Sequence, residues 1–141
     1  VKDLFGRVKE LFKREFKALN IELMIDLKQP DLIIKVDLEL VEQVMINLIR
    51  NAIEALENIR EPLIELSARQ ENKSSTIIRI RDNGSGIDTE NLEQIFIPFF
   101  STRKEGSGIG LSLSRQIMKL HKGRIEVETE KGIGTCFSLV F

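Results

Sequence analysis

A chain of 141 residues, 42% of them hydrophobic and 30% charged, has the material for one core and is too apolar to remain disordered. Its 21 basic and 22 acidic residues leave a net charge of −1, which excludes electrostatic capture of nucleic acid or of an anionic membrane. The one cysteine, Cys136, excludes an internal disulfide framework and a Cys/His zinc cluster, reads as core, and fits a reducing, cytoplasmic compartment. No apolar run approaches the ~20 residues of a membrane span, and the opening VKDLFGRVKE lacks the apolar centre of a signal peptide. Direct membrane contact is not expected of this chain, and any anchor would belong to a longer parent protein.

The elements follow from periodicity. Leu4, Phe5, Val8, Leu11, Phe12, Phe16 and Leu19 recur at helical spacing and predict a helix over Lys2–Leu19. Ile21, Leu23, Ile25 and Leu27 alternate with Glu22 and Asp26, and a second apolar run, Leu32–Val36, follows Gln29-Pro30; these two are expected to pair as a hairpin. Asp37 is the expected N-cap of a long helix, roughly 38–59, closed off by Pro62. Strands are expected over 63–68 and 76–81, separated by the polar loop QENKSS. Then come the turn DNGSG, a short acidic helical piece, the irregular FIPFFSTRKEGSG, a helix over 110–121, and strands over 124–128 and 135–141. Strands arriving in pairs with single helices between them predict a two-layer α+β sandwich, its mixed sheet covered on one face by helices.

Several polar residues sit where periodicity expects apolar ones. Ile78, Ile80 and Asp82 share one side of a strand, so a carboxylate stands at the inner end of a core element and needs partners there. Thr135 likewise shares its side with Phe137, Leu139 and Phe141, and the two together predict a pocket. On the long helix, Gln43, Asn47, Asn51, Glu54 and Asn58 form a polar stripe. For Gln43, Glu54 and Asn58 it reads as the solvated side; the asparagine pair, one turn apart among Leu48, Ile49, Ala52 and Ile53, is equally compatible with a site. In EGSGIGLSLS the glycines at 106, 108 and 110 precede a helix whose start offers N–H groups to an anion, in a spacing that is neither a dinucleotide fingerprint nor a P-loop. His121, the sole histidine, reads as an ordinary residue near a helix C-terminus.

Taken in order, QVMINLIRNAIEAL, DNGSGI, IFIPFFSTR, GSGIGLSLSRQIMKLHKG and GIGTCFSLVF resemble, box by box and over essentially the whole chain, the catalytic ATP-binding domain of sensor histidine kinases, nearest to the nitrogen-regulation type. The resemblance implies the Bergerat fold: a mainly antiparallel sheet, about three helices and a mobile ATP lid, in a single domain over 1–141. It implies ATP and Mg²⁺ as ligands. Asp82 matches the acceptor of the adenine amino group, Gly84, Gly86 and Ile87 the purine-side turn, and Thr135 its support. Asn51 matches the metal ligand, and Asn47 a phosphate and metal-shell partner. Gly106, Gly108, Ile109, Gly110 and Leu111 match the triphosphate loop, Phe99 and Phe100 the anchoring aromatics of the lid, and Thr102 a lid contact. Where relatives carry a basic residue this chain has Glu54, so Arg103 or Lys104 is expected to meet the phosphates.

Within the superfamily the resemblance also separates kinases from hydrolases. Hydrolases carry a glutamate four residues before the metal asparagine, where this chain has Asn47, and an amide activates water poorly. The implied activity is transfer of the γ-phosphoryl group to a histidine on a dimerisation domain of the same parent, from which a response regulator receiver is served. The chain is expected to be the excised catalytic part of that parent. A nucleotide-binding switch without transfer, and a serine kinase of the anti-sigma type, remain the other readings.

Overall fold

The structure, a computed structural model, describes residues 1–72, 75–101 and 106–141. Among the described residues, three α-helices lie on one face of a five-stranded sheet. Helix α1 (Lys2–Ala18) buries Leu4, Phe5, Val8, Phe12 and Phe16, the stripe its periodicity predicts, with the Phe12 and Phe16 rings stacked at 5.6 Å. Helix α2 (Leu38–Ala55) starts at Asp37, whose carboxylate accepts the N–H groups of Glu39 and Leu40 at 3.1 Å each. Helix α3 (Gly110–Leu120) buries Ile117 and Met118.

The strands are β1 (Glu22–Leu27), β2 (Leu63–Asn72), β3 (Ser75–Asp82), β4 (Arg124–Glu130) and β5 (Gly134–Val140), in sheet order β1-β2-β3-β5-β4. β1 runs parallel to β2, and the other neighbours are antiparallel. In register, Leu66, Ile80, Phe137 and Val127 form one row on the helix-covered face and Ala68, Ile78, Leu139 and Ile125 the next. The central members of these rows are buried under α2, and the same face ends at Asp82 and Thr135.

Three expectations need correction. Residues 32–36 form no strand; β1 pairs instead with β2, to which the chain crosses over through α2, as a parallel pair requires. The 32–36 run is an extended strap: Leu32 is buried, Ile34 and Val36 pack on the core, Ile33 is exposed, and the Val1 amine donates to the Leu32 carbonyl at 3.1 Å. Its alternation reflects packing beneath helices, not sheet pairing. Helix α2 also ends four residues earlier than the sequence indicates, because the chain turns left-handed at Asn58 (φ 67) before Pro62 is reached. Part of QENKSS is strand as well, since Gln70–Asn72 extend β2.

Replacing the cap at the start of α2, Asp37→Ala, is expected to cost about 1 kcal/mol in urea unfolding. An unchanged midpoint would mean that the two cap bonds contribute nothing.

Candidate functional site

The site begins where β3 runs out. A strand period of two carries Asp82 onto the face of Ile78 and Ile80, and there it is only 6% exposed. Its Oδ1 accepts the N–H of Gly84 at 2.8 Å and that of Thr135 at 3.3 Å. Both bonds fall on one oxygen, and no described group bonds Oδ2. Burial raises the Asp82 pKa above its ordinary 3.8, with the Gly84 and Thr135 N–H groups pulling the other way. Thr135, opposite Asp82 in the β3–β5 ladder and 4% exposed, has its Oγ1 3.0 Å from Thr129 Oγ1.

Helix α2 forms the facing wall. Asn47, Arg50, Asn51 and Glu54 fall at i, i+3, i+4 and i+7, one side of a helix, and all four line a cleft of about 400 Å³. The Asn47 amide Nδ2–H donates to Ser114 Oγ at 3.0 Å, and a Cβ on Gly110 would overlap its Oδ1. Gly110 therefore makes room for the Asn47 amide. Helix α3 starts with no side-chain cap, which leaves N–H groups of its first turn for an anion.

The same cleft brings together Asp82, Gly86, Ile87 and Thr135 at one end with Gly106, Gly108, Gly110 and Leu111 at the other; Phe100 lines it too. Gly84, Phe99 and Ile109 are outside it. A side chain on Gly84 would strike the Ala55 carbonyl at the end of α2, and one on Gly86 (φ 70) the Glu130 carbonyl. The close approach at both is to protein backbone. Phe99 is 79% exposed and left-handed (φ 68), its N–H bonded to the Gly108 carbonyl at 3.0 Å, so of the two aromatics only Phe100 packs on the core. Thr102, Arg103 and Lys104 lie outside the described residues. A second hollow, about 460 Å³, opens on the uncovered sheet face around Glu65, Arg81, Glu128 and Cys136.

Three residues escaped the sequence reading. Arg50 is the basic side chain that lines the cleft from α2, and among the described residues it has no ion-pair partner. Ser114, 2% exposed, carries no sequence signal because its contact is made across 67 positions. Thr129 did carry one: it shares its strand side with Ile125 and Val127, as Thr135 does with its own apolar neighbours.

A buried acceptor at one end of a cleft, and amides beside an uncapped helix start at the other, suit a molecule with a donor-bearing ring joined to an anion, which describes a nucleotide. The family described as "Histidine kinase-, DNA gyrase B-, and HSP90-like ATPase" matches residues 36–141, and the chain belongs to it. It is 39% identical over 107 residues to the signal transduction histidine-protein kinase AtoS of Escherichia coli, which covers 76% of this chain and 17% of AtoS. It is 31% identical over 137 residues to the sensor histidine kinase ZraS of Salmonella typhimurium, covering 97% of this chain and 29% of ZraS. The chain thus spans less than a third of these curated relatives. The nucleotide-free catalytic domain of histidine kinase ThkA superposes with a TM-score of 0.88 at 31% identity, over 100% of this chain and 91% of that one. ThkA is also known in complex with the response regulator protein TrrA. The expected fold and family are borne out: the chain belongs to the histidine kinase-like ATPase family and has the fold of a histidine kinase catalytic domain.

Because burial raises the Asp82 pKa, the folded protein holds that proton more tightly than the unfolded chain does. Stability therefore falls as pH rises from 3.8 through the raised value. Asp82→Asn should raise the melting temperature at pH 7, with the gain shrinking to nothing as pH falls below 3.8. A lower melting temperature at pH 7 would mean that the two N–H bonds outweigh burial.

Proposed function

We propose that the chain binds Mg²⁺-ATP in the cleft between Asp82 and α3 and transfers the γ-phosphoryl group to a histidine on a dimerisation domain of the same parent protein. The observation that carries this reading is Asp82: a carboxylate that is costly to bury, with one oxygen bonded twice and the other bonded to nothing described. The adenine amino group is the donor it lacks. From there the polyphosphate runs along α2 to the N-terminus of α3, with Arg50 as the cation on that wall and Arg103 a further candidate.

The metal follows from the donor set. Among the described residues no group of three or more His, Cys, Asp or Glu could hold an ion, and α2 offers the cleft the amides of Asn47 and Asn51 with the single carboxylate of Glu54. Such a set fits Mg²⁺ that keeps water and phosphate oxygens as its other ligands, and Asn51 would hold it. When bound it supplies charge neutralisation on the phosphate oxygens.

Asn47 stands where a water-activating base would be needed, and its amide is hydrogen-bonded to Ser114. It cannot take a proton from water near neutral pH, so hydrolysis is slow. A neutral imidazole needs no such base. Its nitrogen bonds to the γ-phosphorus as the bond to the bridging oxygen breaks and ADP leaves. The only histidine here, His121, has its Nδ1 2.8 Å from the Ile117 carbonyl, and its Nε2 accepts the Asp37 N–H at 3.0 Å. Both ring nitrogens are engaged, which supports an acceptor in another domain. The exposed Ile97, Phe99, Ile109 and Leu113 around the end of the cleft offer that domain an apolar contact. The complex of ThkA with its response regulator supports a receiver domain as the downstream partner. A cytoplasmic location suits the use of ATP; no helix among the described residues is long and apolar enough to cross a membrane. The sensor-kinase relatives disfavour a silent switch or an anti-sigma serine kinase.

Mixing the chain with the histidine-bearing helices of its parent and radiolabelled ATP tests this. Label that is acid-labile and base-stable is expected, and Asn51→Ala should remove most of it while leaving Mg²⁺-free nucleotide binding nearly intact. Acid-stable label, or none with normal ATP binding, would contradict the reading.

A further inference from the structure

We propose that Thr129 is a specificity-determining residue: acting through Thr135, it fixes the base end of the cleft as acceptor-only. This rests on the nucleotide-binding reading above. A threonine hydroxyl has one proton and two lone pairs. Thr129 Oγ1 donates to the Gly134 carbonyl at 3.0 Å, and a carbonyl can only accept. The same oxygen accepts the Ile87 N–H at 2.9 Å, where only the nitrogen can donate. Its proton is therefore spent and one lone pair remains.

Its third partner is Thr135 Oγ1 at 3.0 Å. Since Thr129 has no second proton, Thr135 must be the donor in that contact. Thr135 then has only lone pairs left for the cleft it lines. Asp82 is in the same condition for a different reason: its Oδ1 is saturated by two N–H groups, and a carboxylate has no proton to offer at neutral pH.

Two side chains at the base end thus present acceptors alone. A ring edge carrying a 6-amino group, or a water held between the two, satisfies them. An oxo group at the 6-position sets acceptor against acceptor at the point where the amino group would donate. Thr129 touches no nucleotide in this scheme. It acts by using up the proton of Thr135, and its place in the β4–β5 ladder opposite Thr135 and against the backbone of Ile87 gives the hydroxyl no other orientation that keeps all three bonds.

Without the Thr129 hydroxyl, Thr135 can turn its proton into the cleft and donate to a 6-oxo group. The test is calorimetric titration of the chain with ATP and with inosine triphosphate, which has an oxo group in place of the 6-amino group and a proton on N1. The wild-type chain should prefer ATP. Thr129→Val should lower that preference about 5- to 10-fold, chiefly by tightening inosine triphosphate relative to ATP, and Thr129→Ser should restore it. Should the valine variant not fold, Thr129→Ala removes the same hydroxyl and should lower the preference alike. If both nucleotides weaken equally and the ratio stays at the wild-type value, Thr129 is merely structural and the proposal is overturned. If the wild-type chain binds both alike, the adenine assignment of the cleft falls with it; a wild-type preference that survives in Thr129→Val removes only the role of Thr129.

Discussion

A carboxylate at the inner end of a central strand is the constraint on which this structure turns. Burial works against the charge of Asp82, and the backbone around it is arranged so that the charge is tolerated without being fully satisfied. The turn after β3 brings the Gly84 N–H to it, and the antiparallel partner brings the Thr135 N–H. Keeping the turn there requires backbone to pass close to backbone, at Gly84 against the end of α2 and at Gly86 against the end of β4. The glycines of this turn thus serve the protein's own packing first, and that packing positions the acceptor.

The other end of the cleft is built on a second economy of polar groups. Asn47, Ser114 and Gly110 lock the start of α3 to α2 through one amide, so the two helices that would flank a polyphosphate hold a fixed spacing. His121 fastens the far end of α3 to the first residue of the α2 cap. Helix α3 is therefore tied to α2 at both ends, and just ahead of it Phe99 and Gly108, both left-handed, are joined through the Phe99 N–H and the Gly108 carbonyl.

Much of this was legible in sequence because it depends on local period. The parity of Ile78, Ile80 and Asp82 marked the acid as inward, the stripe on α1 marked its buried face, and the Asp37 cap marked where α2 begins. What was not legible depends on partners distant along the chain. The alternation of Leu32–Val36 looks the same whether a run pairs in a sheet or packs beneath helices, and only the parallel pairing of β1 with β2 decides. Ser114 and Arg50 gain their meaning from elements more than one turn away, which no spacing rule encodes. Thr129 lies between these cases: its parity was visible, but a β-branched residue on a strand needs no explanation until its neighbours are known.

The central claim is that the unbonded oxygen of Asp82 is the acceptor for the base of ATP. Titrating ATP into Asp82→Ala by calorimetry addresses it most directly, since the variant removes the acceptor and leaves α2 and α3 untouched. Loss of affinity of at least about tenfold, in a chain that still unfolds cooperatively, is the predicted result. Binding as tight as in the unaltered chain would contradict the account.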